Sequence, residues 1–165
     1  MNEPVEALRP YLDADWPDLC RVHDAARMRE LGLSVGEAAF RTLAETAEAE
    51  GLFDGALVVL AARDAIRGFV AFTTDELTWL YVDPAHDRRG YGRRLLRHAI
   101  ERAGPVFKTQ VLEGNAPALA LYLSEGFQIT ERKSGSLVGA EAFPAVGLLL
   151  ELRKSATVSH EEDAA

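Results

Sequence analysis

Sulfur is scarce in this chain: among 165 residues there are one cysteine, Cys20, and two methionines. A single thiol excludes an intramolecular disulfide framework and agrees with a reducing compartment. No apolar run approaches the roughly 20 residues that a membrane-spanning helix needs, so no membrane partner is expected. The first ten residues, MNEPVEALRP, have neither a basic start nor an apolar block. No signal peptide is therefore read here, and a cytoplasmic location is the default. Positive charge is also in deficit. Eighteen Lys and Arg against 26 Asp and Glu leave a formal net charge of −8, and such a surface repels a polyanion, which argues against a nucleic-acid partner. No internal repeat is visible. Cys20 and His23 lie one helical turn apart, but no second pair at ligand spacing accompanies them, so no metal site is expected.

With 48% hydrophobic and 27% charged residues, what is present has the make-up of one globular domain. That domain is expected over residues 1–154, with the small, polar, acidic stretch 155–165 reading as a disordered tail. Ala7–Leu12 can be extended, and Asp13 or Asp15 can cap a helix running through Trp16, Leu19, Cys20, Val22 and His23 toward Met28. Ser34 and Glu37 form a capping-box pattern for a second helix through Ala38, Phe40, Leu43 and Ala47, closed by Gly51. Ala56–Ala62 and Ile66–Thr73 read as a hairpin, and Leu77–Val82 as a strand ended by Asp83-Pro84. A one-sided stripe of Leu95, Leu96, Ala99, Ile100 and Ala103 predicts a helix stopped by Gly104-Pro105. Strand Val106–Leu112 follows, then a helix capped by Asn115 with Pro117 in its first turn and ended by Gly126. Phe127 opens a further strand, and Val146–Leu152 supplies the last.

The most informative stretch runs from Leu80 to Phe127. Gly90 and Gly92 stand where a strand gives way to an Arg-rich helix, which lets backbone N–H groups approach an anion. Arg88, Arg89, Arg93, Arg94 and Arg97 fall within ten residues of one another, so positive charge collects at this loop. A Walker-type loop would carry Lys-Ser or Lys-Thr after its last glycine, whereas Arg93-Arg94 follows Gly92. A dinucleotide fingerprint would place a small residue where Leu95 stands.

Two motifs in order leave a third reading. Val82, Pro84, Gly90 and Gly92 match a strand-and-loop pattern of Val-x-Pro followed by a paired-glycine turn. Asn115, Ala118, Leu121, Tyr122, Gly126 and Phe127 match a second pattern, Asn-x-x-Ala-x-x-Leu-Tyr-x-x-x-Gly-Phe. In these motifs the chain resembles the GNAT superfamily of acyl-CoA-dependent N-acetyltransferases. Asp87 departs from the first pattern, where that family usually has Gln or Arg. The fold the resemblance implies is α/β (α+β by some schemes): a mixed, mostly antiparallel sheet of about seven strands flanked by about four helices. The sheet would splay near Leu77–Val82 and Val106–Leu112 to admit the cofactor.

The resemblance also implies a function: transfer of an acetyl group from acetyl-CoA to a primary amine by direct attack, leaving CoA as product. Leu80, Tyr81 and Val82 on the strand, with Asn115, Ala118 and Tyr122 on the later helix, are the expected cofactor contacts there. In the loop they are Arg88, Arg89, Gly90, Tyr91, Gly92 and Arg93. Tyr122 is the implied general acid that protonates the departing thiolate. Many family members carry a Glu midway along the strand before the loop, but Leu77-Thr78-Trp79-Leu80-Tyr81 offers none. Glu76 and Glu113 are then candidate bases acting through water, with solvent as an alternative. Trp79 and Tyr81 share a strand face by alternation and are candidate walls of the acceptor pocket. The missing carboxylate keeps open a catalytically silent acyl-CoA-binding module, and a longer acyl-CoA is a further alternative. The resemblance admits a homodimer, and the overall acidity favours a cationic amine as acceptor.

Overall fold

A computed structural model describes residues 6–137 and 140–155 of the chain. In chain order the elements are β1 (Glu6–Pro10), α1 (Trp16–Leu33), α2 (Leu43–Thr46), β2 (Ala56–Ala62), β3 (Ile66–Phe72), β4 (Leu77–Val82), α3 (Tyr91–Arg102), β5 (Val106–Leu112), α4 (Ala116–Ser124), β6 (Gln128–Leu137) and β7 (Ala140–Arg153). Short 3-10 turns cover Asp13–Asp15, Glu37–Ala39 and Pro84–His86. The seven strands form two antiparallel sheets, ordered β1-β2-β3-β4 and β5-β7-β6. One parallel bridge, Glu76 to Lys108, connects them. The expected α/β architecture and its splay between the fourth and fifth strands are both present. Residues 156–165 of the expected tail lie outside the described residues.

Alternation along the strands divides the core into two layers. Val58, Leu60, Val70 and Phe72 face α3 and α4, packing with Leu95, Leu96, Ala99, Tyr122 and Phe127. Val59, Phe69 and Ala71 face the other way, onto Leu19 and Val22 of α1 and Leu43 of α2. The register of β3 against β4 slips by one residue between Ala71 and Phe72, so Ala71 opposes Trp79 while Phe72 opposes Leu77. The extra residue, Thr78, is exposed, and its hydroxyl donates to the Ala71 carbonyl at 3.1 Å. This bulge sends Leu77 into the α3 layer and Trp79 into the α1 layer, which uninterrupted alternation forbids.

Two helical expectations need correction. The first helix runs past Met28 to Leu33. Asp15 stands at its N-cap, but its carboxylate goes instead to Arg9, at 2.7 and 2.8 Å, and to the Leu12 N–H. The second helix does not start at Ser34. That hydroxyl bonds back to the Glu30 carbonyl at 2.9 Å, closing α1, and Gly36 at φ +101° turns the chain away. The operative cap is Thr42, whose hydroxyl accepts from the Glu45 N–H at 3.2 Å. What results is a single 3-10 turn and the four-residue α2, pinned to α1 by the Leu43 N–H on the Asp24 carboxylate at 2.9 Å.

The end of α1 is seated on the loop between β5 and α4. Gly114 there has φ +105°, and a Cβ built on it would lie 2.3 Å from the Leu33 carbonyl oxygen. Gly114→Ala therefore meets both a strained backbone and a backbone atom that cannot rotate away. Its expected cost is about 1–3 kcal/mol, read as a lower urea midpoint at unchanged slope. Gly135→Ala, whose added Cβ would meet nothing within 4 Å, should stay within about 0.5 kcal/mol of the parent.

Candidate active site

Beyond the Glu76–Lys108 bridge β4 and β5 diverge, and the gap is a cavity of about 710 Å³. Leu77 to Tyr81 of β4 and Thr109 to Leu112 of β5 form its two banks, and Asn115, Ala118 and Tyr122, with Arg27 and Glu30 of α1, complete the lining. A side-chain bond adds to the bridge at the base of the gap: the Thr109 hydroxyl donates to the Leu77 carbonyl at 3.1 Å. Tyr122 is buried and packs edge-on against Phe127, ring centroids 5.4 Å apart. Burial pushes the Tyr122 phenol well above its ordinary pKa, opposed by the neighbouring Thr109 hydroxyl and with the Glu30 charge adding to the rise. A phenol so placed stays protonated throughout the physiological range and is available as a donor.

The glycine loop lies past the end of β4. Gly90, at φ +77°, is the N-cap of α3, and a Cβ built on it would meet nothing within 4 Å. Open space before the first N–H groups of a 12-residue helix is the geometry of an anion cradle. The surrounding arginines divide sharply. Arg93 and Arg97 both pair with Glu125, Arg97 at 3.0 Å, and Arg94 reaches Glu6 at 3.3 Å. Arg88 and Arg89 have no ion-pair partner among the described residues, and both are exposed. Tyr91 turns its ring into the core and donates to Glu6 at 2.6 Å, so only its backbone faces the loop. Asp87, the position that departs from the family pattern, is paired with Arg29 of α1, which neutralises its carboxylate beside the cradle.

Of the expected cofactor contacts, Leu80, Tyr81, Asn115, Ala118 and Tyr122 line the cavity, while Val82 and the loop lie outside its lining. Asn115 caps α4 by accepting from the Ala118 N–H at 3.3 Å, and its amide nitrogen donates to Glu30 at 3.2 Å. The two candidate bases part company. Glu76 lines the cavity at its exposed end, whereas Glu113 is absent from the lining and bound on the surface to Arg132, at 2.5 and 3.0 Å. Trp79 and Tyr81 both line the cavity. Trp79 is also a member of the α1-side core, and the His23 ring sits 4.9 Å from that of Tyr81. His23 is buried, which lowers its pKa against the pull of Asp24. Among the described residues no group of His, Cys, Asp and Glu could hold a metal ion.

Sequence reasoning missed Glu30. Its side chain is 19% exposed, pairs with Arg27 and faces the cavity. Burial pushes its carboxyl up, opposed by the Arg27 guanidinium and the Asn115 amide. In sequence, Arg27 and Glu30 look like one more i,i+3 surface pair. Tracing α1 one turn further, to Leu33, would have placed them on the face shared with His23.

Residues 53–129 match the model for the acetyltransferase (GNAT) domain. The chain is 30% identical over 92 residues to the peptidyl-lysine N-acetyltransferase YjaB of Salmonella typhimurium, covering 56% of this chain and 62% of that protein. It is 44% identical over 71 residues to the N-alpha-acetyltransferase RimI of Mycobacterium tuberculosis, covering 41% of this chain and 45% of that one. The chain thus spans less than two thirds of either relative. Among solved structures, the putative acetyltransferase yncA of Salmonella typhimurium, with its cofactor acetyl-CoA, superposes with a TM-score of 0.65 over 98% of this chain and 100% of that one, at 20% identity. The apo form of YjaB from Escherichia coli superposes at 0.63 over 92% and 100%, at 26% identity. Residues 53–129, which carry both motifs, thus match the GNAT acetyltransferase domain, and the chain is similar in fold to the two solved structures on which it superposes.

Proposed function

We propose that this protein transfers an acetyl group from acetyl-CoA to a primary amine by direct attack within a ternary complex. The observation that carries the reading is a buried phenol, Tyr122, set into the gap where β4 and β5 part. The open space at Gly90 and the start of α3 fit the pyrophosphate, with Arg88 and Arg89 as exposed cations beside it. Bound acetyl-CoA supplies the activated thioester carbonyl. Leu80 and Tyr81 form the bank along which it would lie, the unpaired edge of β4 offers N–H groups to a developing oxyanion, and Tyr122 gives the departing sulfur its proton. The reading extends to a cytoplasmic protein whose domain spans residues 1–154. Two relatives are named for protein amines, one a lysine side chain and one an α-amino group. Peptides of both kinds therefore belong in the acceptor set beside polyamines and small amines.

The direct test is thiol release from acetyl-, propionyl- and succinyl-CoA across that acceptor set. Acceptor-dependent CoA release is expected with acetyl-CoA, and silence across the whole set would leave only an acyl-CoA-binding module. Tyr122→Phe should keep the ring packing and lower kcat about 10²-fold or more, while the rise in melting temperature on adding CoA is retained. In Gly90→Val a β-branched side chain is strained at φ +77° and occupies the cradle. Its CoA-induced stabilisation, about 2.7 kcal/mol for a parent held at 100 times its Kd, should fall to less than half.

A further inference from the structure

We propose that Glu30 of α1 is the general base that takes the proton from the acceptor amine, in the role left vacant by the carboxylate that β4 lacks. The proposal rests on the acetyl-transfer reading and adds to it a residue on a different element. Glu30 and Tyr122 line the same cavity, and the Glu30 carboxylate bonds to Asn115, the cap of the helix that carries Tyr122. Its carboxylate is fixed, accepting from Arg27 at Oε1 and from the Asn115 amide at Oε2, 3.2 Å. A carboxylate has about four acceptor sites, so both oxygens keep one for the amine. The other acidic residues of the lining are less suited. Glu76 is exposed, and the charge of Glu50 acts on Arg27. The charge of Glu30 acts on the phenols of both Tyr81 and Tyr122, which share the cavity lining with it. Burial, which raises its pKa, brings a carboxylate closer to the basicity the task requires.

The protons balance. Glu30 takes one from the ammonium and passes it to solvent, freeing the lone pair that forms the C–N bond. As the C–S bond breaks, Tyr122 protonates sulfur, and the second amine proton replaces the one it gave. Net release is one proton per turnover.

Burial, then Arg27 on its own helix and Asn115 at the α4 cap, set the Glu30 titration; Tyr81 on β4 and Tyr122 on α4 are the phenols its charge acts on, and Glu50 acts on Arg27. Glu30→Gln is nearly isosteric. With the best amine of the acceptor set it should lower kcat about 10²-fold or more, leave CoA-induced thermal stabilisation intact, and replace the acid limb of the kcat profile by a rate that climbs with hydroxide. A second variant guards against misfolding of the first. Arg27→Gln removes the cation that holds the Glu30 pKa down, so the acid limb should move to higher pH. An active parent whose acid limb and kcat survive Glu30→Gln, or whose limb is unmoved in Arg27→Gln, overturns the role of Glu30 and spares the acetyl-transfer reading. A parent that acetylates no amine while still binding CoA overturns both.

Discussion

β4 and β5 run side by side and pair at only one place, and the rest of the molecule is arranged around that failure to pair. β4 ends a four-stranded sheet and β5 begins a three-stranded one, with the Glu76–Lys108 bridge as the sole ladder contact between them among the described residues. Two further bonds keep the base closed, the Lys108 N–H on the Asp75 carbonyl at 2.9 Å and the Thr109 hydroxyl on the Leu77 carbonyl. Above them α4 brings Tyr122 between the strands. An open strand edge would be a liability if dry, because unpaired backbone groups are costly to bury. Facing a cavity of this size it is instead an edge on which a ligand carrying amide groups, as an acyl-CoA does, can pair.

Charge is distributed to serve that gap rather than to decorate a helix. Of five arginines around the glycine loop, three are spent on Glu125 and Glu6, tying α3 to the end of α4 and to β1. These are partly exposed pairs, and their energetic worth is small. Their positional effect is larger, since they leave Arg88 and Arg89 as the cations at the cradle. Arg29 reaches from α1 to Asp87, and Arg21 reaches from the same helix to Asp83 at 2.5 Å. One face of α1 therefore fixes both ends of the Asp83–Asp87 turn. The same helix presents Arg27 and Glu30 to the cavity, so glycine loop and cavity wall are braced by a single element.

Much of this was legible in the sequence because it depends on local rules. Ala56–Ala62, Leu77–Val82 and Val106–Leu112 are bounded by turn residues and appear with the limits those residues predict. The paired motifs located the loop and Tyr122. What was not legible depended on tertiary contacts. The Ser34–Glu37 spacing suggested a helix start, but the Ser34 hydroxyl had a nearer carbonyl one turn back, and Gly36 broke the run. The bulge at Thr78 shifts the parity of β4, so strand alternation alone could not tell core from channel for Trp79 and Tyr81. Glu30 was invisible for a related reason: an i,i+3 ion pair is ordinarily solvated, and only the seating of Leu33 on Gly114 brings it beside Asn115.

The same distinction between whole and local governs what the acceptor can be. A net charge of −8 suggests attraction for cations, but an acceptor inside the cavity responds to the groups that line it. Glu30, Glu50 and Glu76 are there matched by Arg27, Arg41 and Lys133, and burial disfavours a charge on His23. The cavity is thus close to charge balance, and the surface excess can affect encounter more than choice. Discrimination then falls to shape and hydrogen bonding at its walls: the α1–α2 segment on one side and the β6–β7 hairpin on the other, with Tyr81 and Trp79 between them. A polar group on an acceptor that meets the Arg27–Glu30 pair keeps both ions satisfied, whereas one that displaces a partner leaves a buried charge uncompensated. That asymmetry gives the pair a role in selection as well as in proton transfer.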